Sequence, residues 1–243
     1  MFSFRVTTYN IHKCRGLDRR VRPRRIAEVL SEIDADVVAL QEVVGMDEAA
    51  REHNQVAAIA EDLGLDFRTG ENRRLRGSAY GNAVLSRWPI VRDCNHDITW
   101  RMYEPRGCLD VSINLPNDAQ TVLQLFNVHL GTSFFERRYQ GHRLLEVIAG
   151  DPDSSAPKII LGDFNEWTRG LTTRLLNRHW NSAEPEQRLG RARTYPGVFP
   201  ILHLDHVYYN SSLTLKSIGV HRTRLALAAS DHLPIVAEFT LDN

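Results

Sequence analysis

Three cysteines, three methionines and three lysines are all this 243-residue chain contains of those types. Cys14, Cys94 and Cys108 are odd in number, far apart and without paired zinc-type spacing. A disulfide framework is therefore not expected in a chain long enough to bury its own core. No run approaches the ~20 apolar residues that span a bilayer. The opening MFSFRVTTYN reads as a strand and lacks the apolar stretch of a secretory signal, so a cytoplasmic location is expected. Basic and acidic residues balance at 30 each, which removes a global basic field as a reason to bind nucleic acid. Lys13, Lys158 and Lys216 are the only lysines, leaving 27 arginines among the 30 basic residues. Arginine suits both surface ion pairs and forked contacts to phosphate.

What is present is an ordinary globular balance, 42% hydrophobic and 25% charged, without repeats or low-complexity tracts. One domain over residues 1–243 is expected. Phe2 to Tyr9 reads as a first strand, and Ile26, Val29, Leu30 and Ile33 recur at helical spacing after Pro23. DVVAL (Asp36 to Leu40) is a short apolar run suited to a strand covered on both faces. A helix is expected from His53 to Leu63, stopped by Gly64. Strand-like runs follow at 82–86, 90–94, 108–113 and 121–130, then a helix near 136–149, a strand at 158–161 and a helix near 172–176. Strands at 206–209, 213–220 and 234–241 end the pattern, with Ser182 to Phe199 read as a long surface loop. Two strand-rich halves with intervening helices predict an α/β fold of two packed mixed sheets flanked by helices.

Polar residues recur where apolar strands end. DVVALQE places Glu42 just beyond a strand, and FNVH places Asn127 and His129 at the end of another. IILGDFN delivers Asp163 and Asn165, LDH delivers Asp205 and His206, and SDH delivers Asp231 and His232. A single carboxylate at a strand end is an ordinary cap. Several converging at one edge would repel one another without a cation, and oxygen-rich donors suit Mg²⁺ or Mn²⁺.

Taken in order, TYNI at Asn10, LQE at Glu42, GNAVLSRWPI from Gly81, NVHLG at His129, LGDFNE at Asp163 and Asn165, LDH at Asp205 and SDHLPI at Asp231 resemble the motifs of the endonuclease/exonuclease/phosphatase superfamily. The resemblance runs from residue 7 to about residue 239. It implies a four-layer α/β sandwich with a divalent-metal site at one edge that hydrolyses phosphate esters. It further implies Glu42 as the principal metal ligand, supported by Asn10 and Asp231. Asp163 and Asn165 would orient water and a phosphate oxygen, and His129 would face the phosphate or the leaving group. His232 would contact phosphate and move a proton while Asp205 holds its ring. Arg106, in EPRG, resembles a phosphate-proximal arginine. Either Asp163 or His232 fits the role of base. His129 stands where the abasic-site endonucleases of the superfamily carry tyrosine, so the resemblance is to other branches, including compact bacterial members.

The expected activity is that of a phosphodiesterase on nucleic acid or a phospholipid headgroup. A phosphomonoesterase and a silent binding protein on the same fold are the alternatives, and no obligate protein partner is implied. RGLDRRVRPRR (Arg15 to Arg25) and RTGENRRLRG (Arg68 to Gly77) are basic stretches without aromatic interleaving, read as solvated faces. Trp100, Met102, Tyr103, Phe134 and Phe135 fall in expected loops and have the character to touch an interface. His12, His96, His142, His179, His203 and His221 belong to no such motif and read as surface or packing residues. His206 alternates away from Asp205 and reads as structural.

Overall fold

A computed structural model describes residues 1–45, 54–117, 121–150, 155–166, 170–183 and 193–241. Its first sheet is built from β1 (Phe2–Asn10), β2 (Val37–Val44), β3 (Asp66–Leu75), β4 (Ser78–Ser86), β11 (Thr214–Val220) and β12 (Ile235–Leu241), in the order β11-β12-β1-β2-β4-β3. The second holds β5 (Ile90–Asp97), β6 (Gly107–Asn114), β7 (Val122–His129), β8 (Lys158–Asp163), β9 (Asn181–Ser182) and β10 (Asp205–Tyr209), in the order β5-β6-β7-β8-β10-β9. Each sheet has one parallel pair, β1 with β2 and β7 with β8, among antiparallel neighbours. Helices α1 (Pro23–Ile33), α2 (Gln55–Leu63) and α5 (Arg224–Ala229) cover the first sheet, and α3 (Phe134–Ala149) and α4 (Leu171–Leu176) the second. The expected α/β sandwich is the fold observed.

Alternation explains the layering. In β1, Phe4 and Val6 face the second sheet; in β2, Val37 and Ala39; in β7, Leu123 and Leu125; in β8, Ile159 and Leu161. The intervening residues, among them Val38, Leu40, Phe126 and Ile160, face the helices. Helix α1 starts with Pro23 at its first turn and buries Ile26, Val29, Leu30 and Ile33. Helix α2 begins where the Asn54 side chain accepts from the Ala57 amide and ends at left-handed Gly64.

Several expectations are corrected. Residues 66–75 form an edge strand paired antiparallel with β4, on which Arg68 pairs with Asp66 and Asp93, Arg73 with Glu104, and Arg74 with Glu71. Those arginines are part-exposed and ion-paired, in keeping with the solvated face expected of the stretch. The 182–199 stretch is not simply a surface loop. Residues 184–192 lie outside the described residues, and beyond them Thr194 is fully buried between Leu202 and Leu233 through backbone hydrogen bonds. Phe134 and Phe135 open α3, two residues before the expected start. His53 is outside the described residues, and α2 starts at Gln55.

Candidate active site

The inward-facing positions turn polar as the strands approach one edge of the sandwich. Beyond the apolar layers comes a buried layer of Thr8, Gln41 and Asn127. Asn127 donates to the Leu40 and Ala83 carbonyls of the first sheet (3.0 and 2.9 Å) and accepts from Gln41 Nε2 at 2.8 Å. One amide from the second sheet thus ties three strands of the two sheets together. The next inward positions are Asn10, His129 and Asp163, with Asp205 paired opposite Asp163 in the ladder. Because β7, β8 and β10 are adjacent, His129, Asp163 and Asp205 stand in a row.

Glu42 reaches this row through an irregularity. It was expected beyond the end of its strand but lies inside β2, where pairing with β4 shifts between Leu40 and Val43. Alternation after Gln41 would aim Glu42 at the helices. A bulge with Glu42 in the left-handed region (φ 59°) re-aims the carboxylate toward the site. Asn165 (φ 49°) and the run His12, Lys13, Cys14 (φ 44°, 59° and 56°) are also left-handed, so several side chains here rest on costly backbone. Gly162, which precedes Asp163, has φ 144°, and a Cβ there would lie 1.9 Å from the Val128 carbonyl oxygen. Only glycine permits β7 and β8 to approach so closely.

Asn10 Nδ2 donates to Asp163 Oδ2 at 3.0 Å and to Glu42 Oε1 at 3.2 Å. His129 Nε2 and His232 Nε2 lie 3.6 and 3.7 Å from Asp163 Oδ2. His232 Nδ1 donates to Asp205 Oδ2 at 3.0 Å, with both groups buried. Arg106, buried although it sits at a loop end, donates from its guanidinium to His129 Nδ1 at 3.2 Å and reaches Glu104 at 3.3 Å. Asn165 donates its backbone N–H to Asp163 Oδ1 and its amide to the Leu130 carbonyl, each at 2.9 Å. Asp231 is half-exposed beside His12 Nδ1 at 3.2 Å. All nine residues singled out in the sequence therefore gather at one edge.

His12 and Lys13 are the residues that sequence reasoning missed. His12 is not simply a surface residue, since it faces Asp231. The Lys13 ammonium sits against Glu42 Oε2, while its carbonyl accepts from Gln55 Nε2 at 2.9 Å. Both lie within three residues of Asn10, and that proximity in a chain with three lysines was the available signal. His206 turns away as expected and contacts the Glu166 carbonyl (3.1 Å).

Environment sets the protonation states. Burial raises the Asp163 carboxyl to about 6, against the pull of His232 and the Asn10 hydrogen bond. Burial also opposes charge on His232, but the carboxylates of Asp205 and Asp163 outweigh it and hold the imidazole up at about 10. Burial, and then the Arg106 charge, push His129 well below its ordinary value, so it is neutral. With Arg106 donating to Nδ1, neutral His129 carries its proton on Nε2, facing Asp163. Burial works against the Glu42 carboxylate, yet the Lys13 ammonium against it and the Asn10 amide hold it below the ordinary carboxylate range.

Two groups of residues suit a cation. Donor atoms of Asp163, Asp205 and His232 lie within 4.8 Å of one another, a cluster compact enough for a divalent ion. Glu42 and Asp231 add hard oxygen donors close enough to influence each other's charge, and Lys13 already places a positive group against Glu42.

The chain belongs to the endonuclease/exonuclease/phosphatase family, whose model matches residues 7–232. It is 34% identical over 250 residues to the Escherichia coli K12 protein YbhP, covering 99% of this chain and 97% of that protein. Among solved structures, an endonuclease/exonuclease/phosphatase family protein from Bacteroides thetaiotaomicron superposes with TM-score 0.81 at 19% identity, covering 100% of this chain and 99% of its own. The mannosyl-6-phosphatase Bt3783 of the same organism gives 0.80 at 19%, covering 98% and 100%. At such identities these two structures establish the shared fold. Fold and cluster together are those of a metal-dependent phosphoesterase in general.

Proposed function

We propose that this protein is a divalent-metal-dependent phosphodiesterase and that residues 1–243 act as one catalytic domain. The observation that carries the reading is the Asp205–His232 pair converging with Asp163, His129 and Arg106 on one point beside Glu42. Glu42, with Asn10 and Asp231, is the better home for Mg²⁺ or Mn²⁺, because those ions prefer oxygen donors, whereas His232 is held protonated between Asp205 and Asp163. Once bound, the ion supplies Lewis acidity at a phosphate oxygen.

The remaining chemistry belongs to the chain. Asp163, raised to about 6, is poised near neutrality to take a proton from the attacking water. Asn165 fixes that carboxylate through its backbone N–H. Protonated His232 and Arg106 place positive charge where the equatorial oxygens of the phosphoryl group gather it. Neutral His129, with its proton on Nε2, donates to the departing oxygen. Water adds to phosphorus, one phosphorus–oxygen bond to an alcohol breaks, and a monoester and an alcohol are released.

Turnover of bis-p-nitrophenyl phosphate with Mg²⁺ or Mn²⁺ tests this. Activity is expected to vanish with chelator and to fall by about 10²–10⁴-fold in His232→Ala. Full activity in both Glu42→Ala and His232→Ala would overturn the site assignment. Faster cleavage of p-nitrophenyl phosphate than of the diester would make the protein a phosphomonoesterase instead.

A further inference from the structure

Exposed apolar side chains are not spread evenly over this molecule. Among the described residues, all five exposed Phe and Tyr side chains (Tyr103, Phe134, Phe135, Tyr139 and Phe199) lie at the edge that carries the candidate site. The ladder fixes this placement. Cys108 pairs with Val128, His129 with Asp163, and Asp163 with Asp205. The segment 98–106 before β6, the start of α3 after β7, and the segment 193–204 before β10 therefore leave from one side of the sheet. Their tips are strongly exposed: Met102 is 98% accessible, Phe199 76% and Phe135 65%. The segment after β1 adds Leu17 and Val21 on the same side. By contrast, among the described residues the large apolar side chains exposed at the opposite ends of the strands are Met1, Val91 and Val122, none aromatic.

Exposed Met and Phe side chains at three segments, with Leu17 and Val21 at a fourth, are costly in water and call for an apolar contact. From this we infer that the site edge docks on a lipid surface with anionic headgroups, and that the phosphodiester presented to the site is that of a membrane phospholipid. The substrate half of this inference rests on the phosphodiesterase reading; the docking half does not. Charge supports the choice of occupant. The Arg101 guanidinium lies 4.9 Å from the Trp100 ring, Arg138 is exposed between Phe135 and Tyr139, and Arg19, Arg20 and Arg22 are exposed around Val21. Apolar tips that enter acyl chains, with arginines at headgroup level, match such a surface.

The other occupants fit less well. A protein seated on tips that surround the site would cover it, whereas a lipid surface delivers a phosphate into it. Single-stranded nucleic acid needs open aromatic faces. Here Trp100 stacks on Tyr103 at 4.9 Å and Phe134 packs edge-on against Phe135 at 5.5 Å, which leaves Phe199 and Tyr139 as separate rings on different segments, and Met102, Val198 and Ile201 offer no ring at all.

Co-sedimentation of the full chain with vesicles tests docking without catalysis. Phosphatidylcholine vesicles doped with phosphatidylglycerol, in chelator, are compared with a triple variant, Met102→Ser, Phe135→Ser and Phe199→Ser. The parent protein is expected to pellet with the doped vesicles and the variant to partition about tenfold more weakly or worse. Unchanged thermal stability and unchanged turnover of bis-p-nitrophenyl phosphate in the variant show that fold and site are intact. A Phe199→Trp protein should in addition be quenched by brominated lipid. Docking is overturned if the parent stays in the supernatant or the triple variant pellets equally. It is also overturned if the substitutions instead abolish binding of a labelled oligothymidylate or dissociate a dimer. Vesicle binding without turnover of bis-p-nitrophenyl phosphate would sink the phosphodiesterase reading and with it the substrate half of this inference, leaving the docking half; turnover without vesicle binding would sink this inference alone.

Discussion

Replacing Asp205 by asparagine removes the charge that faces His232 and leaves the shape of the side chain in place. The new amide nitrogen can take the position of Oδ1, which is buried without a hydrogen-bond partner among the described residues, so the imidazole keeps its acceptor. At the observed 3.0 Å and an effective dielectric constant of about 20, the lost attraction is about 5.5 kcal/mol, or about 4 pKa units. His232 is held at about 10 despite burial, so in Asp205→Asn it should titrate near or below its ordinary 6.5. Nitrogen-edited NMR of the imidazole reads this directly, without substrate or metal. Stability carries the same signature. A histidine raised by its partner contributes fully below pH 6.5, and that contribution is lost as pH rises through 10. The gap in urea stability between parent and variant should therefore be widest in mild acid and close toward alkaline pH. A His232 still protonated at pH 8 in the variant would refute the argument, as would a gap that widens with pH.

Two further outcomes follow from single contacts. Gly162→Ala puts a methyl group 1.9 Å from the Val128 carbonyl oxygen on a backbone at φ 144°, so a loss of about 3 kcal/mol or more is expected in urea unfolding. A loss below about 1 kcal/mol would mean that β7 and β8 can part cheaply. Burial lowers His206 to about 4, so its stability contribution is complete above pH 6.5 and falls away as pH drops through 4. The full difference is about 3 kcal/mol. His206→Gln should flatten the acid limb of the stability profile, and an unchanged limb would place the acid sensitivity elsewhere.

The sandwich was legible because its signals are local and repeated. Val37 to Leu40 and Ile159 to Leu161 are apolar on both faces, as only strands between another sheet and helices need to be. The convergence of Asp163, Asp205 and His232 was legible for a related reason, since polar residues closing apolar strands gather wherever those strands end together. The edge strand β3 was hidden, because the partners of its arginines, Asp93 and Glu104, lie far along the chain. Lys13 and His12 were hidden because their roles depend on three successive left-handed residues, a conformation that no propensity favours. The bulge at Glu42 is a property of pairing with β4 and cannot be seen in LQE alone.

The seating of β1 between β2 and β12 has a consequence for biosynthesis. Phe2 pairs with Leu241, and Thr8 with Ile235. The first strand made must wait for the last before its second edge is satisfied, and such distant pairing slows folding. Asp231 and His232 immediately precede that last strand. A nascent chain would therefore already carry Glu42, His129, Asp163 and Asp205 while still lacking Asp231, His232 and the second edge of β1.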